Sequence, residues 1–189
     1  MYLFFDTETT GLPRNYKAPI EDSNNWPRLV QIAWLLYDNS GNKIDGKEFI
    51  IKPEGFTIPI EASRVHGIST EKAISQGQDL NKILILFAQE IEKANSIVAH
   101  NISFDEKIVG AEFYRGKVAN KLFQKKRICT MKESTEYCQL PGRYGFKWPN
   151  LGELHTKLFG KNFEGAHDAA ADINATAKCF WKLKELHIM

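Results

Sequence analysis

The sequence predicts an α/β fold in which helices pack on a mixed β-sheet, within one domain of residues 1–189. Strand-like segments come first, and a helix, a strand, a helix, another strand and a final helix follow. The length of 189 residues suits one domain with a sizeable core. Apolar residues at 43% and charged residues at 25% are ordinary for a globular protein, which argues against disorder.

The first three regular elements are predicted strands. Tyr2 to Phe5 is a short apolar run, and Leu29 to Tyr37 is a longer run of residues that favour β-structure. A turn leads into a third segment, Lys43 to Lys52, so the second and third strands form a hairpin. The long segment Gly11 to Arg28 remains as a loop, and loops of that length are usually functional or mobile.

Helices dominate the middle of the chain. Ile60 to His66 predicts a short helix that ends at Gly67, and Ser69 or Thr70 starts another. From Asp79 to Ala94 the apolar residues recur three and four positions apart, which indicates an amphipathic helix.

The second half alternates strands with helices. We predict a buried strand at Ser96–Ala99 and a helix that Ser103 caps and that runs to about Tyr114. A weak fifth strand is predicted at Arg127–Thr130, and a helix start at Pro149-Asn150. The final helix is predicted from Ala169 to about His187, with Asp168 as its cap.

Composition excludes several classes of protein. The N-terminus has no basic signal region and no run of about 18 apolar residues exists, so we predict a cytoplasmic protein without a membrane span. Cys129, Cys138 and Cys179 lack the spacing of a zinc site and are odd in number, which favours reduced thiols. A net charge of +2 gives no bulk signal for nucleic-acid binding.

Three separated acidic motifs carry the functional signal. In the first, Asp6 and Glu8 stand two positions apart at a strand end, so both carboxylates face one side and Thr7 faces the other. Two neighbouring carboxylates repel each other unless a cation neutralises them, and Mg²⁺ or Mn²⁺ is the natural partner. Alone, this spacing is a weak signal, and two solvated acids remain the alternative.

The second motif is His100-Asn101-Ile102-Ser103-Phe104-Asp105, after the predicted strand Ser96–Ala99. Asp105 either complements the dipole of its helix or faces a ligand crevice at the strand end. Asn101 either turns the chain or contacts a sugar or phosphate. Phe104 is either a core residue or a surface for base stacking.

The third motif is His167-Asp168-Ala169-Ala170-Ala171-Asp172. Asp172 lies at the edge of the apolar stripe of the last helix, where a carboxylate needs a partner or a metal. His167 precedes the cap and can bend toward the crevice, where a histidine beside a dication can take a proton from water. A plain surface histidine is the alternative.

The three motifs, in this order and spacing, resemble those of the DEDDh 3′→5′ exonucleases, with similarity to the proofreading epsilon subunit of bacterial DNA polymerase III. The resemblance spans Tyr2 to about Leu186. It implies a ribonuclease H-like fold with a central mixed five-stranded sheet flanked by helices. It also implies a nuclease that removes 5′-mononucleotides from the 3′ end of DNA with two Mg²⁺ or Mn²⁺ ions.

The resemblance also implies residue roles. Asp6, Glu8 and Asp172 would hold one metal, Asp6 would bridge to the second, Asp105 would assist partly through water, and His167 would be the general base. The residues expected to bind substrate are Thr7, Thr9, Leu12, His66, Asn101 and Phe104. For His66, a favourable helix C-terminus is the competing explanation.

The expected partners are single-stranded or frayed DNA 3′ ends. The chain stops at Met189 without the C-terminal extension by which the polymerase subunit docks, which argues against a polymerase partner. An RNA-trimming exonuclease of the same fold is the nearest alternative, because few contacts read the 2′-OH. A nucleic-acid-binding module without hydrolysis is the alternative from another class.

Overall fold

A computed structural model describes all of residues 1–189. The strands of the main sheet are β1 (Tyr2–Thr9), β2 (Leu29–Tyr37), β3 (Lys43–Ile50), β4 (Ser96–Ala99) and β5 (Lys126–Cys129). Their spatial order is β3-β2-β1-β4-β5, with β2 antiparallel to its two neighbours and β4 parallel to its two. The predicted mixed five-stranded sheet is therefore confirmed.

Helices flank this sheet, as predicted. They are α1 (Ile60–His66), α2 (Thr70–Gln76), α3 (Leu80–Lys93), α4 (Ile102–Gly116), α5 (Thr130–Glu133), α6 (Thr135–Cys138), α7 (Leu151–Phe159) and α8 (Ala169–Glu185). The cap residues agree with the local signals: Gly67 takes the left-handed conformation after α1, and the Asp79 side chain accepts from the first turn of α3. No helix combines the length and apolar character that crossing a bilayer requires.

The two faces of β1 meet different helices. The Phe4 ring contacts Phe180 of α8, with centroids 5.1 Å apart, whereas the Phe5 ring contacts Phe87 of α3 at 5.4 Å. Side chains alternate along a strand, so Asp6 and Glu8 share the face of Phe4, and Thr7 shares the face of Phe5. This alternation decides which helix meets each polar side chain of β1.

The loop from Gly11 to Arg28 has no helix or strand, as predicted, but it is tied to the domain. Its Trp26 ring is buried, and the indole nitrogen donates to the Pro19 carbonyl at 2.8 Å. The Arg115 guanidinium of α4 donates to the Trp26 carbonyl at 2.7 Å. These bonds hold the loop against α4 beside the end of β1.

Several predicted details are wrong. Ser103 does not cap α4, because Asn101 takes a left-handed conformation (φ 70°) and lets the helix begin at Ile102. The Ser103 hydroxyl lies inside the first turn and donates to Asn101 Oδ1. The fifth strand begins one residue early, at Lys126. The short helices α5 and α6 were not predicted, nor was a separate hairpin of β6 (Pro141–Gly142) and β7 (Gly145–Phe146).

Candidate active site

Three predicted acidic residues meet beside β1. Oxygen atoms of Asp6, Glu8 and Asp172 all lie within 4.8 Å of one another, and we call these residues the carboxylate trio. Asp6 and Glu8 project from the face of β1 that α8 covers, and Asp172 lies in the first turn of α8. Packing α8 on this face therefore brings together carboxylates that are more than 160 residues apart in sequence.

Asp172 gives the clearest indication of a candidate cation site. Its Oδ2 atom accepts a hydrogen bond from the His167 amide at 3.2 Å, whereas its Oδ1 atom is buried without a hydrogen-bond partner. A buried carboxylate oxygen without a partner carries a large desolvation cost. Hard divalent cations prefer clustered carboxylate oxygens, so the trio fits such an ion as its missing partner.

Asp105 reaches the same region from the opposite face of the sheet. One of its oxygens accepts from the Thr7 hydroxyl at 2.7 Å and from the Thr7 amide at 3.1 Å. Asp105 is buried in the first turn of α4, outside the trio, and its charge still acts on Asp6. The structure thus places the fourth predicted carboxylate at the edge of the site, with its orientation set by Thr7.

The crowded carboxylates resist ionisation. Burial, followed by the charges of Asp105, Asp172 and Glu8, raises the pKa of Asp6 well above its usual value. Burial, with Asp172 and Asp105 adding to it, raises the pKa of Glu8 to about 8. Burial also raises the pKa of Asp105 to about 7 and that of Asp172 to about 6. A divalent cation would supply the positive charge that this cluster lacks.

A pH dependence of stability follows from these raised pKa values. The folded state binds these protons more tightly than the unfolded chain, so metal-free stability is complete below about pH 4, where the unfolded carboxyls are also protonated. The stability of the metal-free protein falls as the pH rises toward about 8, through the pKa values that Asp172, Asp105 and Glu8 have in the folded state. We expect the metal-free melting temperature to drop by roughly 5–10 °C between pH 5 and pH 8.

Added Mn²⁺ or Mg²⁺ should reverse this loss, because the cation binds the ionised carboxylates of the folded state. The increase in melting temperature on adding metal is expected to be larger at pH 8 than at pH 5.5, where protons compete for the same oxygens. Scanning fluorimetry with EDTA and with each metal checks both trends. An equal increase in melting temperature on adding metal at pH 5.5 and at pH 8 would contradict this account of the trio.

His167 lies next to the trio, but its ring does not enter it. The residue is exposed and takes a left-handed conformation with φ 71°, just before the cap of α8. Its amide holds Asp172, and its charge lowers the pKa of that carboxyl. The predicted position outside the helix is thus found, whereas the role as general base stays a prediction.

A cavity of about 560 Å³ opens beside the trio, between the end of β1 and α1. We call it the β1 cavity. Glu8 lies in its wall, and apolar side chains face it on two sides. Its lining residues are Thr7, Glu8, Thr9, Thr10, Gly11, Leu12, Pro59, Glu61, Ala62, Val65, His66 and Phe104. Five of the six predicted substrate-binding residues are in this set, and Asn101 is not.

His66 is poised as a neutral donor in this cavity. Its Nδ1 atom accepts from the Ile68 amide at 3.2 Å, which leaves the proton of the neutral ring on Nε2. Nε2 is buried without a well-aligned hydrogen-bond partner, and the Thr9 carbonyl lies near enough to the ring to act on its pKa. Burial lowers the pKa of His66, so a neutral ring is favoured. Its helix C-terminal position and its cavity position are both observed, so the two explanations offered by the sequence are compatible.

Sequence reasoning missed two positioning residues. Gln31, the partner of Glu8 on β2, accepts from the Ala169 amide at 3.2 Å and also donates to Glu48. The available signal was one amide in an otherwise apolar strand. His100 lies between the Thr130 hydroxyl and the Pro149 carbonyl, both 3.0 Å from its ring nitrogens. Burial lowers the pKa of His100 to about 4, so the neutral ring links Thr130 and Pro149 by hydrogen bonds.

Replacing Gln31 with Met should loosen the start of α8, because the Ala169 amide loses its acceptor while side-chain volume is kept. We expect metal affinity and hydrolysis to fall roughly tenfold or more, as for other residues that orient metal ligands. Metal titration by calorimetry measures the first effect. Glu48→Gln keeps an acceptor for Gln31 and serves as the control, and equal metal affinity in Gln31→Met and wild type would contradict the assignment.

The mixed sheet and the acidic cluster together define an α/β domain of ribonuclease H-like architecture with a candidate cation site. A family model of the RNase T exonucleases matches residues 3–180, and the chain belongs to this exonuclease family. The family resemblance predicted from the three motifs is therefore confirmed.

Similar proteins support the same family. The PolC-type DNA polymerase III of Listeria monocytogenes is 27% identical over 190 residues, which cover 98% of this chain and 12% of the polymerase. The corresponding enzyme of Streptococcus pneumoniae is 30% identical over 178 residues, or 94% of this chain and 11% of that one. The chain thus spans only about an eighth of these polymerases.

Solved structures share the fold. The zinc-bound complex of E. coli exonuclease I with single-stranded DNA aligns with a TM-score of 0.76 at 22% identity, over 97% of this chain and 40% of that one. A product-bound exonuclease I gives a TM-score of 0.75 at 20% identity, over 99% of this chain and 44% of that one. The predicted ribonuclease H-like fold is confirmed by these neighbours.

Proposed function

We propose that residues 1–189 form one exonuclease domain that hydrolyses phosphodiester bonds from the 3′ end of DNA and releases 5′-mononucleotides. The carboxylate trio, with its partnerless Asp172 oxygen beside the β1 cavity, is the observation that carries this proposal. Exonuclease I has been solved with single-stranded DNA, which supports single-stranded or frayed ends as the substrate. The bacterial polymerase relatives support a cytoplasmic location.

The trio would hold one divalent cation, and Asp6 would share a second with Asp105. Two bound Mg²⁺ or Mn²⁺ ions would supply Lewis acidity for the phosphate and lower the pKa of water. The raised pKa values of the carboxyls agree with this assignment, because such a cluster is most stable when positive charge is bound. The Thr7 hydroxyl would keep Asp105 turned toward the site.

The protein's own residues would bind the substrate and move the proton. Leu12, Val65 and Phe104 offer apolar surface for the terminal base, and His66 offers an Nε2–H donor. The His167 ring would turn inward and accept a proton from the attacking water. The water oxygen would bond to phosphorus while the bond to the 3′ oxygen of the preceding nucleotide breaks. That 3′ oxygen would take a proton from solvent, and one 5′-mononucleotide would leave.

The direct test uses a 5′-labelled 20-residue oligonucleotide with Mg²⁺, Mn²⁺ or EDTA. A 3′→5′ exonuclease gives a ladder that shortens from the 3′ end, and a 3′-terminal phosphorothioate slows its start. Matched single-stranded DNA, duplex DNA, mismatched ends and RNA are compared by kcat/KM. Absence of cleavage of every substrate with both metals would refute the proposal, and a preference for RNA would move it to the RNA-trimming alternative.

A further inference from the structure

Three aromatic side chains stand exposed on one small hairpin. Strands β6 and β7 place Arg143 and Tyr144 at the turn, and Phe146 and Trp148 follow. Tyr144 is 89% exposed and Trp148 is 60% exposed. Exposed aromatic side chains concentrated in so short a segment are typical of a binding surface. We call residues 141–148 the aromatic hairpin.

The hairpin is anchored at its base and open at its tip. The Lys147 amide donates to the Leu140 carbonyl at 2.9 Å, and the Leu140 side chain packs against a small core cluster with α7 and α8. Pro149, which follows Trp148, is buried. The exposed rings therefore project from a fixed support, which reduces the entropy lost when they bind a ligand.

Positive charge accompanies the rings. The Arg143 guanidinium lies 5.1 Å from the centre of the Tyr144 ring, and the Lys132 ammonium lies 5.7 Å from that of Trp148. Lys147 adds a third cation, which pairs with Glu153. Alternating cations and exposed rings match a polyanion that carries flat bases, because phosphates pair with the cations and bases stack on the rings.

The hairpin is physically connected to the candidate active site. The Pro149 carbonyl lies 3.0 Å from the His100 ring, and His100 directly precedes Asn101 in the second acidic motif. The other His100 nitrogen lies 3.0 Å from the Thr130 hydroxyl, two residues before Lys132. The half-buried His100 thus connects both parts of the aromatic–basic surface to the motif that carries Asp105.

We infer that the aromatic hairpin is a second binding surface, where single-stranded nucleic acid stacks its bases on Tyr144 and Trp148 on the 5′ side of the nucleotide being removed. This inference rests on the proposed function for its polarity. Single strands are favoured over duplex, because paired bases are already stacked on each other and cannot present their faces to these rings. The surface would hold the strand while its end occupies the β1 cavity.

The test measures binding of (dT)3 and (dT)12 in EDTA, by anisotropy of labelled oligonucleotides. In a double variant with Tyr144→Ala and Trp148→Ala, the dissociation constant for (dT)12 should rise roughly tenfold or more, as expected when stacks are lost. For (dT)3 the ratio of variant to wild type should stay near one. The exposed Tyr114 on α4 provides the matched control as Tyr114→Ala, with no expected change.

A second measurement reports on the ring itself. Trp26 and Trp34 are buried and Trp181 is half-buried, so (dT)12 should quench mainly the fluorescence of Trp148, and Trp148→Phe should remove most of the quenching. Arg143→Gln should reduce the salt dependence of binding by about one phosphate contact. Melting temperatures of all variants are expected to match wild type, since both rings are exposed.

The outcomes separate the two proposals. Equal (dT)12 affinity in the double variant and wild type, or quenching that survives Trp148→Phe, would overturn the hairpin inference, even if the wild type cleaves DNA. A wild type that cleaves nothing but shows the Trp148-dependent quenching would overturn the exonuclease proposal and leave the binding surface standing. Binding of duplex as tight as of single strands would overturn the stacking argument.

Discussion

Replacing Asp6 with Asn is expected to lower kcat/KM for single-stranded DNA by roughly a thousandfold or more. Asn keeps the shape of the side chain but removes the charge, and Asp6 is the carboxylate on which the charges of Asp105, Asp172 and Glu8 all act. Without it, the trio loses a ligand and the link toward Asp105. Mononucleotide release from the labelled oligonucleotide, followed with each metal, measures the effect.

The same substitution should stabilise the metal-free protein. Because the pKa of Asp6 is raised, ionising this buried carboxyl opposes folding at neutral and higher pH, and Asn has no charge to ionise. We therefore expect a higher melting temperature in EDTA at pH 8, together with a smaller increase on adding metal. Stability gained where activity is lost is the usual trade-off at strained active sites.

The exposed Asp22 in the loop provides the control, since it does not belong to the trio and Asp22→Asn removes the same charge. It should change neither activity nor the metal effect. A folded Asp6→Asn protein that still releases nucleotides at the wild-type rate would remove the trio from the mechanism.

Replacing His167 with Asn is expected to lower kcat by roughly a hundredfold to ten-thousandfold, the usual contribution of a general base. Asn tolerates the left-handed backbone at φ 71° and keeps the amide that donates to Asp172. Metal binding should therefore be retained, so the increase in melting temperature with Mn²⁺ stays near that of wild type. The difference in kcat between His167→Asn and wild type should become smaller as the pH rises, because hydroxide then attacks without the help of a general base.

His187 allows a matched control, since it is also exposed and also has a positive φ, of 57°. His187→Asn should leave kcat and its pH profile unchanged. If His167→Asn loses metal binding as well as rate, we would infer that His167 positions Asp172, through its backbone hydrogen bond, and does not act as the general base. An unchanged kcat in His167→Asn would exclude both roles.

Much of the fold was predictable because its signals are local. The apolar runs of β1 and β2, the three-and-four spacing in α3, and the caps at Gly67 and Asp168 depend on neighbouring residues alone. Elements with weak local signals were missed, as with the four-residue helices α5 and α6. The start of α4 was misjudged, because Ser103 offered a stronger capping signal than Asn101, whose left-handed backbone starts the helix at Ile102.

The candidate site shows the same division. The two-residue spacing of Asp6 and Glu8 predicted a shared face, and the structure confirms that they face α8 together. The Thr7 hydroxyl donates to Asp105, which is 98 positions away in the sequence, and the Ala169 amide donates to Gln31, which is 138 positions away. No local sequence pattern predicts either bond. The same holds for the His100 tie to Pro149.

The sequence by itself determined the α/β class and the family, and it predicted the acidic and histidine residues of the candidate site, because spacing and order along the chain are properties of the chain. Only the tertiary structure decided which oxygens converge, that Asp105 arrives from the opposite face, and that the His167 ring stays outside. Convergence depends on how α4 and α8 pack across β1, and packing is set by contacts between distant segments, such as Phe4 with Phe180. Those contacts also bury the carboxylates, and burial raises their pKa values. A bound cation would stabilise the ionised carboxylates in this buried position.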